Sequence, residues 1–185
     1  MEEKKERWLN YCALITVLLA LGATLSTLRM GSFTNRSILR QTQASDQWAF
    51  YQSKSIKGYL YELNKDKMEL DLKLLGDNPP QDKAEKYSTL IQNYAKKLKK
   101  YELEKAEIKK EAEDLEKQRD VAIKHGQAFG VAVILLQLSI LLSSIAALMK
   151  KPAVWVIGLI LGAVGTVCFL NGFFMFLPSV KFLTG

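Results

Sequence analysis

Charged and apolar positions are segregated along this chain rather than mixed. Residues 8–28 carry no charge, and neither do residues 127–149 or 152–178. Each run meets the requirement of ~20 apolar residues for a helix crossing a hydrocarbon core about 30 Å thick. Backbone groups inside lipid must satisfy one another, so each run predicts a transmembrane α-helix. The expected layout is a leader at 1–7, spans at 8–28, 128–149 and 153–177, a short basic turn at 150–152 and a tail at 178–185. The first run is longer than the 7–15-residue core of a cleaved signal. Its leader mixes Glu2, Glu3 and Glu6 with Lys4, Lys5 and Arg7, which predicts a retained signal anchor.

Between the first two spans, at 29–127, the pattern changes to helix-forming Lys, Glu, Leu, Ala and Gln. Gly76-Asp77-Asn78-Pro79-Pro80 is a turn by composition, and Gly31-Ser32-Phe33-Thr34-Asn35 is a softer break. The expected arms are 34–75 and 81–127, about 63 and 70 Å long as helices. In the second arm Tyr87, Tyr94, Tyr101, Ile108 and Leu115 recur every seven residues, and Ile91, Leu98, Lys105 and Ala112 follow four later. This alternating 4–3 spacing is a coiled-coil seam. It continues through Ala122 and Phe129 into the second span, which predicts one helix over 81–149 with Gly126 and Gly130 as kink sites.

The first arm offers Ile56, Leu60, Leu63, Lys67, Leu70 and Leu74 at the same spacing. Folding the chain at the turn sets Leu70 against Tyr87, Leu63 against Tyr94, Ile56 against Tyr101 and Leu60 against Leu98 in one register. The expected fold is therefore an all-α membrane protein, with three transmembrane helices and a long antiparallel coiled-coil hairpin between spans one and two. Nearer the membrane, Trp48, Phe50 and Tyr51 point to more than one face of the first arm. A two-helix hairpin buries one face per helix, so these three are candidate contacts to another subunit, to a partner protein or to the bilayer interface.

The turn Lys150-Lys151 and the basic leader predict a cytoplasmic N-terminus, with the hairpin on the other side. The hairpin is also basic, with 20 Lys and Arg against 16 Asp and Glu, but segments of its length follow the charge rule poorly. The spans carry small-residue faces that permit close helix approach: Gly158, Gly162 and Gly165 on the third, Ser139 and Ser143 on the second, Gly22 and Ser26 on the first. Gln137 and Asn171 are their deepest polar residues, and none inside is ionisable, which argues against a proton or ion relay.

Candidate chemistry is sparse. The chain has one histidine and two cysteines, with no phosphate loop, nucleophile elbow or metal-ligand spacing. No enzyme activity, cofactor or metal is expected, and no catalytic residue stands out. Cys12 and Cys168 fall at different depths, so no disulfide is expected. His125, at the start of the second span, reads as a polar anchor. Asp46 and Arg119 border the seam, where a charge specifies register. The cluster Lys96, Lys97, Lys99 and Lys100 is followed by Glu102, Glu104 and Glu107, a mixed face rather than a nucleic-acid site. Arg29 and Lys124 suit lipid headgroups.

The stretch 43–57, with Ala44-Ser45-Asp46-Gln47-Trp48 at its core, follows a first span that opens Arg7-Trp8-Leu9-Asn10. In these residues and in the order of its segments the chain resembles a bacterial membrane-protein family labelled domain of unknown function 4337. The resemblance implies a bacterial origin and a membrane location and transfers no activity; the expected location is the inner membrane, as a multi-pass protein. The expected role is a membrane-anchored coiled-coil structural or interaction protein that self-associates, with lipid and an unidentified protein as further partners. The alternative is an oligomeric channel or transport accessory with the finger as gate or vestibule, lined by Gln137, Asn171 and Ser139, Ser143 and Ser144.

Overall fold

A computed structural model describes residues 2–76 and 80–176, with the side chains of residues 2–7 left aside. The expected turn residues 77–79, the last residue of the expected third span and the tail 178–185 lie outside the described residues. The described residues form three helices: α1 (Glu2–Leu74), α2 (Gln81–Met149) and α3 (Pro152–Phe174). Among the described residues there is no strand. All three helices contain a stretch long and apolar enough to cross a membrane.

The first span and the first arm are one helix, not two. The softer break expected at 31–35 does not form. Thr34 Oγ1 donates to Met30 O at 2.9 Å and Ser37 Oγ to Thr34 O at 2.8 Å, so the local hydroxyls bond back along the helix. A lone Gly31 costs a helix only ~1 kcal/mol, too little to end it. The second arm and second span are likewise continuous.

Helix ends follow local rules. α2 closes in a Schellman arrangement: Lys151 N donates to Ala146 O and Lys150 N to Ala147 O. Lys150 takes the left-handed conformation, φ 51°, which that motif normally gives to glycine. Pro152 then opens α3 at a position where its missing N–H costs nothing. Met175 caps α3, also left-handed, with its N–H on Asn171 O at 2.8 Å.

The chain falls into two units, Met1–Leu39 with Gln118–Gly185, and Arg40–Lys117. In the first, α2 supplies a fully buried stripe: Phe129, Ala132, Leu136, Ser139, Ser143 and Ala146. These recur at 3–4–3–4–3, the spacing of one helix face. α3 meets the stripe with Gly158, Gly162 and Gly165, and α1 contributes Cys12, Ala23 and Ser26. The outward faces are apolar, with Leu14, Leu18, Leu21, Ile157 and Ile160 all exposed.

In the second unit α1 and α2 run side by side in opposite directions, tied at Trp48–Glu116, Lys54–Glu104 and Tyr61–Tyr94. From α2 the inward face holds Tyr87, Ile91, Tyr94, Leu98, Tyr101, Ile108 and Leu115, all buried or half-buried. From α1 the inward face differs from the expectation. Tyr51, Lys54, Gly58, Tyr61, Met68 and Leu72 turn inward. Ile56, Leu60, Leu63 and Leu70, expected in the seam with α2, are 55–67% exposed. The physical reason is that α1 carries two faces able to pack. The inner one uses aromatic rings and the stem of Lys54, which cover apolar surface without reading as aliphatic.

Candidate functional site

Two places concentrate specific side-chain geometry. The first is an aromatic junction of the three helices within the unit Met1–Leu39 with Gln118–Gly185. Phe129 is completely buried. Its ring lies 5.8 Å from Phe33, 5.9 Å from Phe169 and 5.0 Å from Phe173. Phe169 and Phe173 meet edge to face, the arrangement the ring quadrupole favours. Arg29 stands 5.4 Å over Phe173.

His125 joins this cluster. It stacks on Phe33 at 4.7 Å, and Nδ1 lies 2.7 Å from Gly172 O. A carbonyl oxygen only accepts, so Nδ1 carries the hydrogen. The contact anchors α2 to the last turn of α3. His125 thus ties α2 to α3 through Nδ1. No cluster of three or more metal-ligating side chains occurs among the described residues.

Beside the junction a groove of about 540 Å³ opens between Met30 and Thr34 of α1 and Gly126 and Gly130 of α2. Its other lining residues include Ser37, Gln127, Val131 and Ile134, so it carries hydroxyl and amide groups but no charge. Deeper along the helices, Ser139 Oγ donates to Gly158 O at 2.6 Å. A methyl group at Gly162 would stand 2.7 Å from that hydroxyl and 3.0 Å from Leu19, and one at Gly165 would stand 3.1 Å from Leu136. The expected packing residues Gly158, Gly162, Gly165, Ser139 and Ser143 are brought together here. Cys12 and Cys168 are free, and Cys12 Sγ lies 3.5 Å from Ser143 O.

The second place is the helix pair of Arg40–Lys117. Trp48 Nε1 donates to Glu116 Oε1 at 2.9 Å, and Trp48 meets Tyr51 edge to face. Lys105 lies over the Tyr51 ring at 5.7 Å. Trp48 and Tyr51, expected to contact another subunit or partner, are therefore engaged inside the pair. Phe50 remains 49% exposed. Lys54 bonds Glu104 and also lies over Tyr101, while Lys97 lies over Tyr61. The hydrogen bond from Lys54, reinforced by its charge and that of Lys100, holds the Glu104 carboxyl below the usual carboxylate range. Of the two charges bordering the seam, Asp46 is exposed and Arg119 pairs with Asp120 at 2.8 Å. Tyr61 and Lys54 escaped the sequence reading because Ile56, Leu60, Leu63 and Leu70 offer a continuous aliphatic repeat on the other face of α1. Their helical spacing with Gly58 and Met68 was the available signal.

A family model described as a domain of unknown function, DUF4337, matches residues 8–175. The chain belongs to the DUF4337 family. The match takes in the first two apolar stretches, the third as far as residue 175, and the helix pair, so both places described above lie within the DUF4337 region. No curated protein and no solved structure gives a match.

Proposed function

We propose that this protein is a membrane-anchored coiled-coil interaction protein that associates with copies of itself. In this reading the three apolar stretches cross the bacterial inner membrane. The leader and the Lys150 turn face the cytoplasm, and the Arg40–Lys117 pair forms a coiled-coil finger in the periplasm. The Lys150-Lys151 turn supports that orientation, because short basic turns stay cytoplasmic.

The observation that carries self-association is Gln137. It lies in the middle of the apolar stretch of α2, yet it is exposed, among the likewise exposed Ile134, Leu138 and Leu141. A primary amide facing hydrocarbon forgoes its hydrogen bonds, and interhelical amide contacts typically contribute ~0.6–2 kcal/mol in membranes. A second copy meets the need directly, since an amide both donates and accepts. The transport reading has less support: of its expected lining, Ser139, Ser143 and Asn171 are buried, and Gln137 and Ser144 are the exposed members.

The test is cross-linking in native membranes. The account expects a homo-oligomer that weakens with Gln137→Leu. A strict monomer in the membrane, with no adduct to its own copies, would remove the proposal.

A further inference from the structure

The face of α1 that does not meet α2 is itself a heptad seam. Ile56, Leu60, Leu63, Lys67, Leu70 and Leu74 follow one another at 4–3–4–3–4 spacing. The five apolar members are 55–75% exposed. The opposite face of the same helix already packs on α2 through Tyr51, Lys54 and Tyr61. Between Arg40 and Leu74, α1 therefore presents two seams back to back. A 4–3 apolar repeat that no other described residue covers is the signature of packing against another helix, knobs into holes.

The charge pattern identifies that helix. Lys67 is the one polar member of the seam, and it follows Asp66 directly. Copies inserted in one membrane are related by rotation about its normal, so their equivalent helices run parallel. In a parallel pairing in register, Lys67 enters a hole formed by Leu63, Asp66, Lys67 and Leu70 of the other helix. The lysine of each copy then meets the Asp66 carboxylate of the other, which offsets the approach of the two Lys67 side chains in the same layer. Sliding by one heptad removes the match: in one direction Lys67 meets Lys73, and in the other it meets Tyr59. A single lysine at a core position of this kind fixes register and partner at some cost in stability. Phe50 and Tyr59, both exposed, flank the seam and widen it.

We infer that the outer seam of α1, from Ile56 to Leu74, is the site where a second copy of this chain docks, parallel and in register, with Lys67 paired to Asp66 of that copy. The inference rests on the self-association proposed above and names a surface for it.

The test uses the full-length protein in native membranes, with Cys12→Ala and Cys168→Ala removing the endogenous thiols. Leu63→Cys in that background is expected to give a disulfide-linked dimer on mild oxidation. Ala106→Cys, exposed on α2, is expected to stay monomeric. Lys67→Asp should abolish the Leu63→Cys dimer, since it sets like charges together, and adding Asp66→Lys should restore it. Circular dichroism of each variant checks that helicity is kept. If Leu63→Cys stays monomeric, or joins a different protein, while the mass in detergent shows several copies, the seam is overturned and self-association stands. Failure of the Asp66→Lys exchange to restore the dimer also overturns the seam. A monomeric mass overturns both.

Discussion

Gly172 and Phe129 are fitted to each other: a methyl group at residue 172 would stand 2.7 Å from Phe129 Cε1 and 2.8 Å from two further ring atoms. Phe129 has no room to retreat, being fully buried between Phe33, Phe169 and Phe173. Gly172→Ala therefore forces α3 away from α2 and stretches the 2.7 Å contact from His125 to Gly172 O. The expected cost is about 1–3 kcal/mol, the range for overpacking a filled core. Thermal unfolding in detergent checks it. Gly31→Ala is the control, because a methyl group there meets nothing within 4 Å, and it should leave the transition unchanged or raise it.

Lys54 and Glu104 give the helix pair an acid sensitivity with a definite sign. The Glu104 carboxyl is held below its ordinary range by the hydrogen bond from Lys54. A lowered folded-state pKa contributes stability above the unfolded carboxylate value, about 4.3, and loses it as pH falls through the folded value. Stability of the pair should fall below about pH 4.3. Glu104→Gln should be less stable than the parent at neutral pH and should show a shallower loss on acidification. Helicity followed from pH 7 to pH 3 at fixed temperature is the measurement.

Lys150 stands where glycine would fit without strain. A non-glycine residue in the left-handed region costs roughly 1–2 kcal/mol, and Lys150 adopts φ 51° while its N–H and that of Lys151 close the end of α2. Lys150→Gly is expected to raise the unfolding temperature by relieving that strain. In the proposed orientation a lysine at this turn favours its cytoplasmic placement. A thiol-accessibility assay on the Lys150→Gly protein should show a larger share of inverted molecules.

Legibility differed between the two long helices. The face of α2 was readable because one apolar stripe, from Tyr87 through Leu115, stands out against a charged remainder. α1 has two packable faces, and sequence alone favoured the aliphatic one. The structure sets Tyr61 between Tyr94 and Tyr101 and stretches the Lys54 stem toward Glu104, leaving Leu63 outward. Aromatic rings and long amphipathic stems bury well without a hydrophobic signature. The junction at Phe129 was half visible, since Phe129 continues the seven-residue repeat. Its partners Phe33, Phe169 and Phe173 come from distant segments, and no local pattern joins them. The small-residue faces were readable because close helix approach demands small residues whatever the partner.

The most direct measurement is the mass of the full-length protein in mild detergent, by light scattering corrected for bound detergent. One chain weighs 20.9 kDa. The account predicts a discrete multiple of that mass, lowered toward a single chain when Gln137→Leu and Lys67→Asp are combined. A mass of one chain for the unaltered protein across the accessible concentration range would contradict it.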